Sequence, residues 1–533
     1  MPGRLTAGRF YLALAAFAVA AAGFSLLIPS TPSYDPWAWL VWGREIVHIN
    51  LQTTGGPSWK PLPVIFTTLF APLGKAAPDL WLVVARAGAV AAAVMTFKLA
   101  WRVTRNLLPT GVGRGSRWAL VAPALAGVIA AGSLINSRGF ISDNALGYSE
   151  GLMTALVLIA LDRHLSGARR QAFAVGFAAA LDRPELWLFW GPYGLYLWWK
   201  DPGARKLVIA LFALIPVLWF LPELWGSGHL FRGVNRAQHP RSNSPAFAKC
   251  PFCTELSKHA WPTVLMRVKV VAIVAVLAAA AGLLRTGRHF HRASVAAGGG
   301  VERPGRVARL TLVVAGVIGF GWWAGIALET QAGFSGNDRY LVLGVALVSI
   351  AGGVGWGRLA QSVARLLTLV RERRLPAGAP RLLGAPGVAT IAGFAVSVAL
   401  FLAVPPWIGK NVINLPATHR ALVYQAHLRE DAATAVRELG GPQRILSCGD
   451  VMTEGFQVPM LAWTLGVHTL IVRASPLSTS HPGPPPNVIF QTRAQRNAHL
   501  LPVVRAWEQV HYKLVARVRT FRVFSHCTGK VTL

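Results

Sequence analysis

Acidic residues are scarce in this chain. Twenty-one Asp and Glu stand against 53 Lys and Arg, for a formal net charge of +32 over 533 residues. Charged residues of both signs make up only 14% of the sequence, where a soluble chain carries about 25%. That shortfall excludes an ordinary solvent-facing surface for most of the protein. Four cysteines are too few for a disulfide scaffold at this length. No GxxxxGK[ST], no GxGxxG behind a strand and no HExxH occurs, so nucleotide chemistry and a helix-borne zinc site have no support. A basic excess of this size would suggest nucleic acid in a soluble protein. Here the arginines sit between apolar segments and membrane orientation accounts for most of them, so no nucleic-acid partner is read.

What the chain has is apolar length. Hydrophobic residues make up 53% and the mean hydropathy is +0.45. Eleven apolar segments run from 10–29 to 386–405, and the fourth to sixth are short. They show no strand alternation, and in lipid every backbone polar group must be satisfied within the segment, so they read as helices. The first follows Arg4 and Arg9 without a clear cleavage site, so it reads as a retained helix. Segment 62–78 is apolar but holds Pro63, Pro72 and Pro78, and reads as a re-entrant or interfacial piece. Alternate connections carry 24 basic residues, against 11 in the somewhat longer remaining ones. The bias predicts a cytoplasmic N-terminus and an extracytoplasmic C-terminal domain. The Ala, Gly, Val, Arg and Pro bias is that of a GC-rich bacterial genome, so the membrane is read as the bacterial plasma membrane, with membrane lipids as partners. Two inner connections, 285–309 and 357–385, lack apolar patterning and read as mobile connectors.

The expected fold class is therefore an all-α polytopic membrane protein of about eleven transmembrane helices with a small C-terminal α/β extracytoplasmic domain. The expected division is a membrane domain over 1–409, with a large first outer loop at 30–79, and an outer domain over 410–533. Residues 417–440 have helical periodicity and stop at Gly440-Gly441. "RILSCGDV", "HTLIVRAS", "NVIFQT" and "LVARVRTFRVF" read as short strands, and 475–487 as a loop. Two disulfides are the plain reading of Cys250, Cys253, Cys448 and Cys527 on an oxidising side, with the pairing left open. A zinc site at the CxxC has no second cysteine pair behind it, so no metal ligand is assigned.

Chemistry-bearing residues gather on one side. In the first outer loop, Asp35 precedes Pro36 and reads as a helix N-cap, which is compatible with work as a base. The helix behind it carries Trp37, Trp39 and Trp42 and reads as an interfacial helix on the bilayer. Lys60 ends the wet part of the loop and by default snorkels. Arg138 and Glu150 flank the fourth helix. Asp182-Arg183-Pro184-Glu185 reads as a self-neutralising turn, and Asp338-Arg339-Tyr340 as a helix start. The acids suit base work and the cations suit a phosphate.

In their order these segments resemble the GT-C membrane glycosyltransferases, in particular the protein O-mannosyltransferase and aminoarabinose-transferase branch. Asp35 stands where the family has its catalytic acid. "WKPLP" is similar to the branch's Lys-Pro-Pro-Leu motif with one proline displaced. "YSEGLMTALVL" resembles its fourth-helix start, "AAALDRPELW" its Lys-Gly-Pro turn with Arg183 for lysine, and "NDRYLVLGVAL" its late Arg-Tyr-leucine motif. The resemblance implies inverting transfer of a sugar from a polyprenyl-phosphate-linked donor to a cell-envelope glycan, lipid or protein acceptor. Asp35 would be the general base, and Lys60, Arg138, Glu150, Arg183, Arg339 and Tyr340 would bind substrate or lipid phosphate. The family often has an acidic pair in this loop. Here Pro36 follows Asp35, so the second acid is Glu45 or comes from elsewhere. No cofactor is required by these residues, and a divalent cation is left open. The alternative is a non-catalytic lipid transporter or cell-envelope assembly scaffold.

The charge asymmetry predicts that a single cysteine placed at Val295 is shielded from a membrane-impermeant reagent in intact cells, while one placed in the C-terminal domain reacts. Labelling of position 295 alone would reverse the orientation.

Overall fold

The computed structural model describes residues 2–108, 117–241, 243–293, 304–374, 386–403, 413–476, 481–527 and 533. The helices are α1 (Pro2–Ser25), α2 (Tyr34–Val47), α3 (Pro61–Phe70), α4 (Ala77–Asn106), α5 (Val121–Ile135) and α6 (Phe140–Ala145). Next come α7 (Glu150–Leu165), α8 (Arg169–Ala180), α9 (Trp187–Lys200), α10 (Arg205–Ser227), α11 (Arg232–Ala237) and α12 (Pro251–Thr254). Then follow α13 (Met266–Ala293), α14 (Pro304–Gln331), α15 (Val342–Arg374), α16 (Pro386–Ala403), α17 (Leu415–Glu438), α18 (Pro442–Cys448) and α19 (Val458–Leu465). The strands are β1 (Val451–Thr453), β2 (Val472–Ala474), β3 (Val488–Gln491), β4 (Lys513–Arg517) and β5 (Arg522–Ser525).

All eleven apolar segments lie on helices. Among the described residues, six helices are long and apolar enough to cross a membrane, and Val121–Ile135 and Gly387–Ala403 are shorter apolar helices. Several helices outrun the expected spans. The helix α13 continues to Ala293, α14 begins at Pro304 and α15 continues to Arg374. Polar residues extend a helix already nucleated in the apolar part, because each added residue gains a backbone hydrogen bond. The connectors are correspondingly shorter, and residues 294–303 and 375–385 lie outside the described residues. The boundary at Pro405-Pro406 lies outside them as well.

The contacts divide the chain into two compact units. The second contains residues 91–141 and 240–413. Its centre is α15, whose apolar window is 94% buried. A Cβ at Gly353 would lie 2.3 Å from the Ala126 carbonyl oxygen, and one at Gly357 would lie 2.8 Å from that of Ala122. This Gly-x-x-x-Gly stripe lets α5 approach backbone to backbone. The disulfide Cys250–Cys253 lies in this unit.

The first unit contains residues 1–90, 142–239 and 414–533. Its core joins the first loop to the C-terminal segment. Trp37, Trp39 and Trp42 of α2, Trp59 and Trp81 pack in one cluster with Leu428, Val436, Met460, Leu461, Phe490 and Phe521. The helix α2 is therefore buried and does not lie on the bilayer. The interfacial reading fails because the cover lies some 400 residues away, as in the Arg44 guanidinium bond to the Val467 carbonyl at a separation of 423 residues. The sheet has strand order β2-β1-β3-β5-β4, with β1 parallel to β2 and β3, and β5 antiparallel to β3 and β4. "RILSCGDV" is mostly helical and not a strand. Pro442 opens α18 after Gly441 at φ 93°, because the fixed φ of proline suits a first helical turn. The chain turns extended only past Gly449 at φ 132°. "LVARVRTFRVF" folds as the β4–β5 hairpin. The disulfide Cys448–Cys527 ties the end of α18 to the residues after β5.

The α2–α3 contact has no spare room. A Cβ on Gly43 would lie 2.5 Å from the Thr67 carbonyl carbon and 2.7 Å from the Thr68 nitrogen, both backbone atoms. Thr67 also donates its hydroxyl to the Trp39 carbonyl at 2.7 Å. Gly43→Ala should cost about 1–3 kcal/mol through overpacking, while Gly191→Ala, with nothing within 4 Å, should melt like wild type. Equal melting of both variants in detergent would contradict this packing.

Candidate active site

Asp35 is not the cap of α2. The helix begins at Tyr34, and Ser33 is the N-cap residue, in extended conformation. Asp35 is the acidic residue of the first turn, where the helix dipole favours a carboxylate. Pro36 fits one residue later because the first turn lacks intrahelical acceptors for its missing N–H. Ser33 anchors this end: its N–H donates to the Leu146 carbonyl at 2.9 Å, and its hydroxyl meets the Tyr148 hydroxyl at 3.0 Å. Asp35 follows Ser33 by two residues, and Glu150 follows Tyr148 by two. The anchor thus ties the start of α2, which bears Asp35, to the residues that lead into α7 and Glu150.

Glu150 belongs to a buried charged cluster assembled from three stretches of chain. Lys60 donates to the Glu150 carboxylate at 3.1 Å and to the Ser149 hydroxyl at 3.2 Å. Its ammonium lies 3.9 Å from Asp182 and 5.5 Å above the Trp39 ring. Arg183 reaches Glu150 at 3.5 Å and grips Glu185 through Nε at 3.1 Å and also through Nη2. Lys60 therefore does not snorkel; its side chain is 12% exposed and that of Glu150 is 3%. Positioning is local. Pro61 opens α3 directly after Lys60, and the Leu62 N–H donates to the Leu181 carbonyl at 3.1 Å. That bond brings Lys60 against the turn that carries Asp182 and Arg183.

Arg138, Arg339 and Tyr340 lie in the second unit and form their own group. Arg138 pairs with Asp338 at 3.1 Å, and Asp338 also accepts from His259 Nδ1 at 2.6 Å. The Arg339 guanidinium stands 5.3 Å over the Tyr340 ring. Tyr340 is fixed by its backbone: its N–H donates to the Asn337 carbonyl at 2.9 Å, and its own carbonyl accepts from the Trp322 indole at 2.7 Å. The hydrogen bond to Asp338 raises the His259 imidazole above its ordinary range. Nearby Glu255 is pushed up to about 7 by burial, against the pull of His259.

The second acid expected in the first loop is otherwise engaged. Glu45 accepts the Gln52 N–H at 2.9 Å and His468 Nδ1 at 2.7 Å. Burial raises its carboxyl above the usual range, and those two donors partly offset the rise. Beside it, Arg44 donates to the Trp463 and Val467 carbonyls at 3.2 and 2.7 Å. Arg44 and Glu45 thus latch α2 to the segment around α19. Among the described residues no three His, Cys, Asp or Glu side chains converge as metal ligands. No chemistry is routed through a divalent cation.

The sequence reading takes Asp182 and Glu185 only as partners of Arg183 within one turn. In the fold Asp182 faces Lys60, and Arg183 reaches away to Glu150 as well as to Glu185. The one signal for this is the density of charge in a short turn between apolar helices. Asp338 likewise pairs with Arg138 and His259 and not with its neighbour Arg339.

Removing one partner of a buried pair strands the other. Lys60→Met should lower stability by about 3–5 kcal/mol by leaving Glu150 and Asp182 without the ammonium. Lys60→Met with Glu150→Gln should recover part of that loss. A Lys60→Met protein that melts like wild type would mean that the cluster is solvated.

No protein-family model matches the chain, and no curated protein does. Two solved structures of ArnT from Cupriavidus metallidurans, both 13% identical, cover 97% of this chain and are covered over 98% of their own. The form bound to undecaprenyl phosphate aligns with a TM-score of 0.44, and the apo form with 0.47. At that level the likeness by itself assigns no activity to this chain.

Proposed function

We propose that the chain is a membrane glycosyltransferase that moves a sugar from a polyprenyl-phosphate-linked donor to an extracytoplasmic acceptor, inverting the anomeric centre. The observation that carries this reading is the buried Lys60–Glu150–Arg183 cluster, with the start of the helix that bears Asp35 tied through Ser33 to Tyr148, two residues before Glu150. The motifs that place these residues in the GT-C order are separate in sequence, and the fold of the first unit brings the cluster together. The first unit also supplies what a reaction at a membrane surface needs, namely a rigid support. The helix bearing Asp35 is held by a tryptophan core and not by a mobile loop.

In this reading the acceptor hydroxyl attacks the anomeric carbon while Asp35 takes its proton. The bond from that carbon to the phosphate oxygen breaks, and its electron pair leaves with the lipid phosphate. Lys60 and Arg183 stabilise the charge that develops there. From the motif order alone we also assign Arg138, Arg339 and Tyr340 to the donor. The N-terminus is placed in the cytoplasm and residues 410–533 on the outer face by the charge asymmetry.

One observation favours the non-catalytic alternative. Lys60 and Arg183 are already paired with carboxylates, as in a purely structural brace. The two readings part at Asp35. Asp35→Asn keeps the side chain's shape and gives up a charge–dipole interaction worth about 0.3–1 kcal/mol, so the variant should fold. It should lose transfer, because an amide cannot accept the acceptor's proton at neutral pH. The measurement is turnover of radiolabelled polyprenyl-phospho-sugar beside the melting temperature. A stable and active Asp35→Asn protein would end the general-base assignment.

A further inference from the structure

Carboxylates outnumber cations around Lys60. Among the described ion pairs, three acids, Glu150, Asp182 and Glu185, are set against the two cations Lys60 and Arg183. An anion that approaches Lys60 therefore meets a cluster that is already net negative when all three acids are ionised. Binding must be accompanied by the loss of one negative charge, or repulsion opposes it.

The three acids are not held equally. Glu185 is gripped by two nitrogens of one guanidinium, and Glu150 is shared by Lys60 and Arg183. Asp182 is 0% exposed, the Ser149 hydroxyl that faces it also accepts from Lys60, and its ion-pair contact is the 3.9 Å approach of Lys60. It lies in the turn between α8 and α9, outside the membrane-spanning helices. The groups that face it are Ser149 and Glu150 from the start of α7, Lys60 from the first loop, and Arg183 in its own turn, with Glu185 beyond. Burial raises its carboxyl above the ordinary range. Lys60 pulls it down and Glu150 pushes it up further.

We propose that Asp182 is a proton-coupled positioning residue for the donor phosphate. It takes one proton from water as a phosphate engages Lys60, and returns that proton when the phosphate leaves. The inference rests on the donor-binding reading above. Lys60 then exchanges a carboxylate for a phosphate oxygen at constant net charge. The O–H bond on Asp182 forms as an O–H bond of hydronium or of a buffer acid breaks, and no other covalent bond changes in this step.

The sign follows from linkage. Where Asp182 is already neutral in the free protein, binding takes up no proton and affinity is flat with pH. Above that range affinity falls by up to about tenfold per pH unit, because each bound phosphate requires a proton that is scarcer. The probe is methyl farnesyl phosphate, a diester whose single charge is constant across the pH range of about 5.5 to 8.5 used for titration. The full chain in lipid nanodiscs is titrated across that range by calorimetry, in two buffers of different ionisation enthalpy, which counts protons directly.

Wild type should show a falling affinity and an uptake approaching one proton. Asp182→Asn should bind with little pH dependence and without uptake. A wild-type slope in Asp182→Asn would overturn the proposal. So would diester binding by wild type without proton uptake anywhere in the range, a result that needs no variant to fold. That second outcome leaves donor binding intact. Absence of diester binding at every pH would instead overturn the donor reading and this inference with it.

Discussion

A charge removed from water must be met by another, and the first unit is arranged around that requirement. Lys60 comes from the first loop, Glu150 from the start of α7 and Arg183 from the turn before α9. Left alone, each would carry a desolvation penalty of several kcal/mol. Together they fix three chain segments at one place, and the bond from Leu62 to Leu181 sets the backbone that lets them meet. The cluster is also what distinguishes this end of the molecule chemically. Arg86, a buried cation elsewhere in the helices, has no such acid cluster among the described residues and donates to the carbonyls of Ser25 and Ala145.

The tryptophans show a second use of burial. An aromatic helix next to a membrane has two ways to hide its rings, in the lipid interface or under protein. Here protein covers them, and indole N–H groups find carbonyls: Trp42 donates to Gln52, Trp59 to Leu218 and Trp81 to Gly147. Arg429 lies over Trp37 at 5.6 Å and pairs with Asp79 at 2.6 Å, so α17 is clamped to the same core by charge and ring together.

Much of the architecture is legible in the sequence because its cause is local. Apolar runs mark the helices, and the periodicity of 417–440 matches α17, with Gly440 and Gly441 at φ 87° and 93° just beyond it. Helix ends are less legible, since Arg374 and Ala293 are helical for reasons of propagation and not of hydropathy. In the site, residue types are readable and pairings are not. Lys60 and Glu150 are 90 residues apart, and Arg183 and Glu150 are 33 apart. Nothing in a single sequence specifies such a match. Adjacent opposite charges also mislead: Asp182 and Asp338 each precede an arginine, and each pairs elsewhere. At Asp35 the expected cap is displaced by two residues, because a Ser33 cap and an Asp35 cap differ only in where the first helical φ falls.

The shared core also sets an order of events in biosynthesis. Trp37, Trp39 and Trp42 leave the ribosome early, whereas Leu428, Met460, Phe490 and Phe521 of the same core follow only after all the membrane helices. Through the synthesis of that whole region, the first loop holds large apolar side chains whose native cover does not yet exist. Such surface is prone to wrong contacts, so the loop must be sheltered by lipid or by a chaperone until the segment from α17 onward emerges. That segment then acts as the closing half of a fold begun just after the first membrane helix.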